Sequence, residues 1–111
     1  MHVHRFPPLT GAYSLASVPS LSLNGASEAV TGLVHFGAGA RSPENGMRVS
    51  AAHELGYVVS GRLRIDTALS SYEVRAGDVL VASPALAHST TALEDSEIFF
   101  VLLDPMRALT A

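Results

Sequence analysis

The stretch GDVLVASPALAH at residues 77–88 combines a glycine turn, a short apolar run and a proline, and it ends on a histidine. A glycine at this point supplies the positive φ that a tight connection between strands needs. A second glycine, Gly61, separates two further strand-like runs. The run that follows it, RLRID at residues 62–66, alternates with period two, which directs Leu63 and Ile65 to a buried face. The sequence therefore predicts short strands joined by tight turns.

The same pattern continues along the chain. Glycine and proline interrupt short apolar stretches, and no segment keeps helical apolar spacing over more than two turns. An all-β sandwich or barrel is therefore predicted. We expect one domain over residues 1–111, with residues 1–10 as an irregular arm. The predicted strands, the third of which could consist of two pieces, are residues 12–17, 29–36, 48–60, 62–67, 71–74, 78–82, 88–92 and 97–103.

The composition excludes several classes of function. The chain has no cysteine, so disulfides, thiolate metal sites and cysteine nucleophiles are ruled out. All seven basic residues are arginine, and a Schiff-base mechanism therefore has no side-chain amine to use. The formal charge of −3 and the lack of a basic stripe argue against a nucleic-acid partner. A small molecule is the expected partner.

The longest uninterrupted apolar run, at residues 98–103, is far shorter than the roughly 20 residues that cross a bilayer as a helix. Residues 1–30 lack the charged start, apolar centre and cleavage site of a secretory signal. We therefore expect a soluble, cytoplasmic protein with no membrane partner. Because the run at 98–103 does not alternate, it predicts a strand covered on both faces, by the second sheet and by the partner subunit of a homodimer.

Two motifs resemble those of the cupin superfamily. HELGYVVSGRL at residues 53–63 resembles the second half of the first cupin motif, in which a glutamate precedes a turn glycine by a fixed spacing. Residues 77–88 resemble the second motif, and FGAGARSP at residues 36–43 looks like the lead-in to the first. The resemblance covers about two thirds of the chain. It implies the double-stranded β-helix, or jelly-roll barrel, of small single-domain cupins, with a small molecule or a metal held inside.

The resemblance also assigns residues to an interior site. Glu54 and His88 match the motif positions of a carboxylate and an imidazole, and they are the predicted catalytic pair and metal ligands. The family's usual pair of histidines before the glutamate is missing, because Arg48 and Ser50 stand there. His35, on a neighbouring predicted strand, is the candidate for a third ligand. One divalent ion (Fe, Mn, Ni or Zn) and a metal-free site are both compatible with this set.

Further residues are predicted to contact the substrate. Arg48 offers a forked donor for a carboxylate or a phosphate. Strand alternation places Val58 on the same face as Glu54, where it would form part of an apolar floor. His2 and His4 lie close to the start of the sequence and are predicted to take no part. The predicted substrate-binding residues are Arg48, His35, Val58 and Thr90.

Three functions remain open from the sequence. The first is a small enzyme of the isomerase, lyase or cyclase kind, which uses Glu54 and His88 as acid and base with or without a metal. The second is a non-catalytic barrel that binds or senses a metabolite. The third is a metal-dependent dioxygenase with an incomplete ligand set. The first is favoured, because the carboxylate and the imidazole are kept while the usual histidine pair is lost.

Overall fold

The computed structural model describes residues 1, 3–23 and 27–103, and the regular structure in these ranges consists of strands alone. The all-β prediction is therefore confirmed. His2 and the parts of the predicted domain at residues 24–26 and 104–111 lie outside the described residues. The strands are β1 (Tyr13–Leu23), β2 (Ser27–Phe36), β3 (Arg41–Ser42), β4 (His53–Ser60), β5 (Arg62–Thr67), β6 (Ser71–Arg75), β7 (Val79–Ala82), β8 (His88–Ala92) and β9 (Ser96–Leu103).

The strands form two antiparallel sheets. The five-stranded sheet has the order β1-β2-β9-β4-β7, and the four-stranded sheet has the order β3-β8-β5-β6. The chain changes sheet between β4 and β5, so the motif around Gly61 joins the two layers. In the first sheet Glu54 pairs with Leu102 and Ala82, and in the second Thr67 pairs with His88. These registers decide which side chains face the space between the sheets.

The hydrophobic core lies between the two sheets. Leu63 from β5 and Val58 from β4 are fully buried, and they connect the inner faces of the two layers. The predicted inward orientation of Leu63 and Ile65 agrees with this arrangement, since Ile65 packs against the same cluster. Burying an aliphatic side chain of this size contributes about 1.5–3 kcal/mol. The buried members of the core are Val34, Phe36, Val58, Leu63, Val74, Ala92 and Ile98.

The turn at Gly61 requires glycine for two reasons. Its φ of 85° lies in the left-handed region, and a Cβ there would meet the Ser96 Oγ atom at 2.1 Å. That hydroxyl is bonded to the backbone on each side of it, because it accepts from the Arg62 N–H at 2.9 Å and donates to the Glu94 carbonyl at 2.8 Å. The same buried serine thus ties the start of β5 to the start of β9.

The observed strands differ from the predicted ones by one or two residues at several ends and by more at three places. The first strand continues past the predicted end at residue 17 to Leu23, and a register shift between Val18 and Leu21 accommodates Pro19, which has no N–H to donate. The predicted strand 48–60 is regular only from His53, since Arg48 makes an isolated bridge to β8. The short strand β3 lies outside every predicted strand, between those at residues 29–36 and 48–60. Two residues carry too little periodicity to predict a strand.

The non-alternating run at residues 98–103 occupies a central place in the fold. β9 pairs with β2 on one edge and with β4 on the other. Its inner face contributes Ile98 to the core, while the ring of Phe99 on the outer face lies 6.5 Å from that of Phe6 in the N-terminal segment. The second sheet therefore covers the inner face of β9, and Phe6 of the same chain lies against its outer face, whereas cover by a partner subunit stays a prediction.

A search of the described residues for a helix long and apolar enough to cross a membrane finds none.

Candidate functional site

A cavity opens between the sheets beside the core. Its volume is about 1110 Å³, and the inner faces of both sheets line it. Most of its lining is apolar, whereas the titratable and hydrogen-bonding groups gather where β3, β4 and β8 meet. Pockets that bind small molecules have this composition, with a few placed polar groups in apolar surroundings. The apolar lining includes Leu15, Val34, Ile65, Leu80, Phe100 and Leu102.

Glu54 and His88 meet inside this cavity. Glu54 lies on the inner face of β4, and His88 is the first residue of β8 in the opposite sheet. The distance from His88 Nε2 to Glu54 Oε2 is 3.3 Å, and the two side chains are 15% and 23% exposed. The structure thus brings together, from two sheets, the two side chains that the motifs single out. Partial burial matters because it strengthens the interaction of a charged pair relative to bulk water.

The hydrogen bonds of His88 define where its protons lie. Its Nδ1 atom lies 3.1 Å from the Leu86 carbonyl oxygen, which can only accept, so Nδ1 carries a proton. A hydrogen bond between Nε2 and the Glu54 carboxyl group then requires one further proton, which the two groups share. The carboxylate of Glu54 raises the pKa of His88 above 6.5, chiefly through this hydrogen bond, and the Leu86 carbonyl adds to the effect. Burial and the charge of Arg48 oppose the rise in that pKa.

Arg48 lies next to this pair. Its backbone forms an isolated bridge with His88, in which the Arg48 N–H donates to the His88 carbonyl at 2.8 Å and the His88 N–H donates to the Arg48 carbonyl at 3.0 Å. The guanidinium lines the cavity and donates from NH2 to the Ser42 hydroxyl of β3. Thr90, two residues after His88 on β8, lines the same wall. A cation, an imidazole and a carboxyl group therefore share one end of the cavity.

Solved structures of other proteins share this architecture. KdgF from Halomonas sp. is 23% identical, with a TM-score of 0.66 over 97% of this chain and 92% of that one. The cupin domain of Cnp3 from Schizosaccharomyces pombe is 14% identical, with a TM-score of 0.70 over 94% of this chain and 74% of that one. An RmlC-like cupin from Shewanella frigidimarina is 18% identical, with a TM-score of 0.63 over 87% and 80% of the two chains.

This chain has the cupin fold. The predicted jelly-roll barrel is therefore confirmed. No family model and no curated protein matches the sequence. At 14–23% identity the likeness to these three structures concerns the fold, so the chemistry of the site has to be argued from the residues of this chain.

Two predicted site residues do not reach the cavity of this cupin barrel. His35 lies on β2 between Val34 and Phe36, both of which face inward, so alternation turns its ring to the outer face of the sheet. There its Nδ1 atom lies 3.1 Å from Glu97 Oε2. Val58 does point inward, as predicted, but it is fully buried in the core beneath the cavity. These placements correct the assignment of His35 and Val58 to substrate binding.

The same geometry bears on the predicted metal site. A cupin metal centre needs at least three converging donors from the protein, and the proposed set was His88, Glu54 and His35. With His35 on the outer face, only His88 and Glu54 meet. No group of three or more histidine, aspartate or glutamate side chains suited to a metal occurs within the described ranges of the chain. The side chains present therefore do not fit a protein-held metal centre of the usual cupin kind.

Two polar residues of the cavity, Ser42 and Tyr72, were not predicted from the sequence. Ser42 accepts a hydrogen bond from the guanidinium of Arg48, although it lies outside every predicted strand. Tyr72 lines the cavity from β6, where it lies directly opposite Ile65. The period-two pattern of β6, in which Tyr72 shares a face with the buried Val74, could have revealed it.

Proposed function

We propose that this protein is a small enzyme of the isomerase, lyase or cyclase kind, which moves a proton within one small molecule held in the cavity. The observation that carries the proposal is the contact of 3.3 Å between His88 Nε2 and Glu54 Oε2 in a largely apolar cavity. An acid and a base side by side, with little water around them, are sufficient for such chemistry.

The pair can act in both directions of proton transfer. Because His88 Nδ1 stays bonded to the Leu86 carbonyl, only Nε2 changes its protonation, and the ring cannot turn away without losing that bond. When a substrate enters, the imidazolium Nε2–H donates its proton to an oxygen or a carbon of the substrate. The Glu54 carboxylate then accepts a proton from a neighbouring carbon, which leaves the pair with one shared proton, as before. The reaction class is therefore a redox-neutral rearrangement, elimination or ring closure.

A binding function is the second candidate. Apart from Arg48, Glu54 and His88, the lining is mostly apolar, which suits retention of a metabolite without any chemistry. The two candidates differ in one observable respect: an acid–base enzyme transfers protons to and from carbon, and a binding protein does not. An assay for carbon-bound hydrogen exchange separates them before the natural substrate is identified.

The test is exchange of substrate hydrogen in D₂O. The protein is incubated with a panel of carbonyl compounds, both charged and neutral, in parallel series with and without EDTA, and deuterium incorporation at carbon is followed by NMR and mass spectrometry. We expect exchange or conversion of at least one compound. His88→Gln and Glu54→Gln should each lower the rate by about 10²–10⁴-fold, the usual contribution of a general acid or base.

The matched control is His53→Ala. His53 is adjacent to Glu54 in the chain but exposed on the opposite face of β4, so its removal should leave the exchange rate unchanged. Exchange that survives both cavity variants would contradict the proposal. A compound that binds but stays unchanged after long incubation would instead establish the binding function. Activity that EDTA abolishes, with a stoichiometric ion that His88→Ala fails to retain, would establish a metal enzyme.

A further inference from the structure

We infer that the ligand of this cavity is a carboxylate with an apolar body, and that Arg48 holds its carboxylate group. The inference rests on the proposed function of the cavity, because it names the class of substrate that the Glu54–His88 pair would act on. Three features of the described residues carry it: the pairing state of Arg48, the charge balance of the cavity, and the distribution of its apolar surface.

The guanidinium of Arg48 differs from those of Arg62 and Arg64, which pair with carboxylates, and from that of Arg41, which donates to the carbonyls of Pro43 and Gly46. Arg62 and Arg64 lie on the outer face of the second sheet, where each contacts an acidic side chain within 3.1 Å. Among the described residues, no carboxylate forms an ion pair with Arg48. Its hydrogen bond goes to the hydroxyl of Ser42, a buried and uncharged group. The hydroxyl orients the planar guanidinium group and leaves its positive charge uncompensated. Such a group can form two parallel hydrogen bonds with a carboxylate.

The charges of the cavity favour an anion. The groups that titrate or carry charge along its lining are Arg48, Glu54, His88, Tyr13 and Tyr72. When the imidazole and the carboxylate share one proton, the charges of this pair cancel. The arginine then gives the site a net charge of one positive unit. Arg48 is exposed, so water hydrates its charge in the free protein, and a ligand carboxylate would replace this water with a charge-assisted pair.

The rest of the cavity indicates an apolar body for this ligand. Much of the wall is formed by Leu15, Leu80, Phe100 and Leu102, which cannot bond to the hydroxyl groups of a polyhydroxylated compound. Outside the polar end, the hydroxyl-bearing side chains of the lining are those of Tyr13, Thr67, Ser70 and Tyr72. The volume of about 1110 Å³ is large enough for a ring or a branched chain. Because Arg48 is bridged directly to His88, a carboxylate on the guanidinium would present its adjoining carbons to the acid–base pair.

The experiment compares two probes of the same shape, 3-phenylpropionate and 3-phenylpropanamide, by isothermal titration with the full chain. We expect the carboxylate to bind about tenfold more tightly than the amide, as for one charge-assisted pair. Arg48→Gln should make the two affinities similar, because it weakens the binding of 3-phenylpropionate. Arg62→Gln, which removes an arginine from the outer face, is the matched control and should preserve the difference. Acetate, which has the charge but no apolar body, should bind at least tenfold more weakly than 3-phenylpropionate.

Several results would overturn the inference. These are equal affinities of the two probes for the wild-type protein, no binding of 3-phenylpropionate, or a preference for the carboxylate that survives Arg48→Gln. The comparison of probes on the wild-type protein holds even if Arg48→Gln does not fold. The experiment requires no turnover, so its failure is distinct from failure of the proposed function. A preference for the carboxylate without hydrogen exchange would mark a carboxylate-binding protein. Exchange confined to neutral compounds would refute the role of Arg48 and leave the role of Glu54 and His88 intact.

Discussion

One shared proton determines the state of the pair at the centre of the site. The Leu86 carbonyl fixes a proton on His88 Nδ1, and the carboxyl group of Glu54 faces Nε2 at 3.3 Å. Both contacts stabilise the charged imidazolium, while burial and Arg48 act against it. The net result is a raised pKa for His88. A histidine of this kind remains protonated nearer to neutral pH, which is the condition under which it can act as an acid.

The titration of His88 should therefore depend on Glu54. In the wild-type protein we expect a midpoint above 6.5, and in Glu54→Gln a lower midpoint, because the hydrogen bond that contributes most to the raised pKa loses its charge while burial continues to lower it. The measurement is an NMR titration of the imidazole resonances, in which the shifts of the other histidines report whether the fold is intact. An unchanged midpoint in Glu54→Gln would show that the pair does not form in solution.

The raised pKa of His88 makes the stability of the protein depend on pH. Since the folded-state pKa of His88 lies above the unfolded value, the stabilisation is fully present below pH 6.5 and is lost as the pH rises through the folded-state value. The wild-type protein should therefore have a larger free energy of unfolding than His88→Gln in mildly acidic solution. This difference should become smaller in alkaline solution.

Sequence could locate the pair but not all of its neighbours. The spacing of the two motifs was sufficient for Glu54 and His88, because each motif fixes its residue relative to a turn glycine. His35 was misplaced, although its position between the apolar residues Val34 and Phe36 already indicates the outer face of β2 by alternation. For Val58 the predicted face was correct. Its depth along the barrel was not, since depth depends on which side chains fill the other sheet.

At the scale of elements, two inward-facing glycines, Gly32 and Gly56, help to shape the cavity. Gly32 on β2 pairs with Phe100 on β9, and a Cβ at Gly32 would lie 2.4 Å from the ring of Phe100 and 2.7 Å from the Ala16 carbonyl oxygen. Gly56 on β4 also faces inward, but there a Cβ would meet Ile98 and Leu80 no closer than 3.4 Å. The first glycine admits an aromatic ring against the sheet, whereas at the second a methyl group would make ordinary van der Waals contacts.

These two glycines should respond differently to the same substitution. Gly32→Ala should destabilise the protein by about 1–3 kcal/mol, because the new methyl group collides with a ring and with backbone that cannot move away. Gly56→Ala should change stability by less than about 0.5 kcal/mol, since its contacts are ordinary ones. Urea unfolding of both variants measures the difference. Equal losses would show that the ring of Phe100 does not lie against Gly32.

Elements with enough periodicity were predictable, and short ones were not. The strands at β5 and β8 were predicted with their observed bounds, because alternation and flanking turns define them. β3 has two residues, so no local pattern reveals it, yet it contributes the Ser42 hydroxyl that orients Arg48. The polar end of the site therefore depends on the element that sequence predicts least well.

At the scale of the whole molecule, the outer face of the five-stranded sheet is apolar. Alternation that turns Glu54 inward turns Leu55 and Tyr57 outward, and the register places Val81 and Val79 directly across from them on β7. These four side chains are between 38% and 72% exposed. On the other outer face the charged pairs of Arg62 and Arg64 dominate instead. Contiguous apolar patches of this kind on one face of a protein commonly mark an interface.

We propose that a second copy of the chain covers this outer face, in a homodimer related by a two-fold axis. The patch continues onto Phe99 of the central strand β9, which pairs with Tyr57. A two-fold axis through the patch would bury the same apolar layer on both subunits. Tyr57→Glu combined with Val81→Glu places two charges within the patch and should convert a dimer into monomers, as measured by sedimentation velocity. Ala68→Glu, in an exposed turn, adds charge elsewhere and should leave the dimer intact. A wild-type protein that sediments as a monomer at all concentrations would contradict the proposal, because the exposed patch would then remain in contact with water.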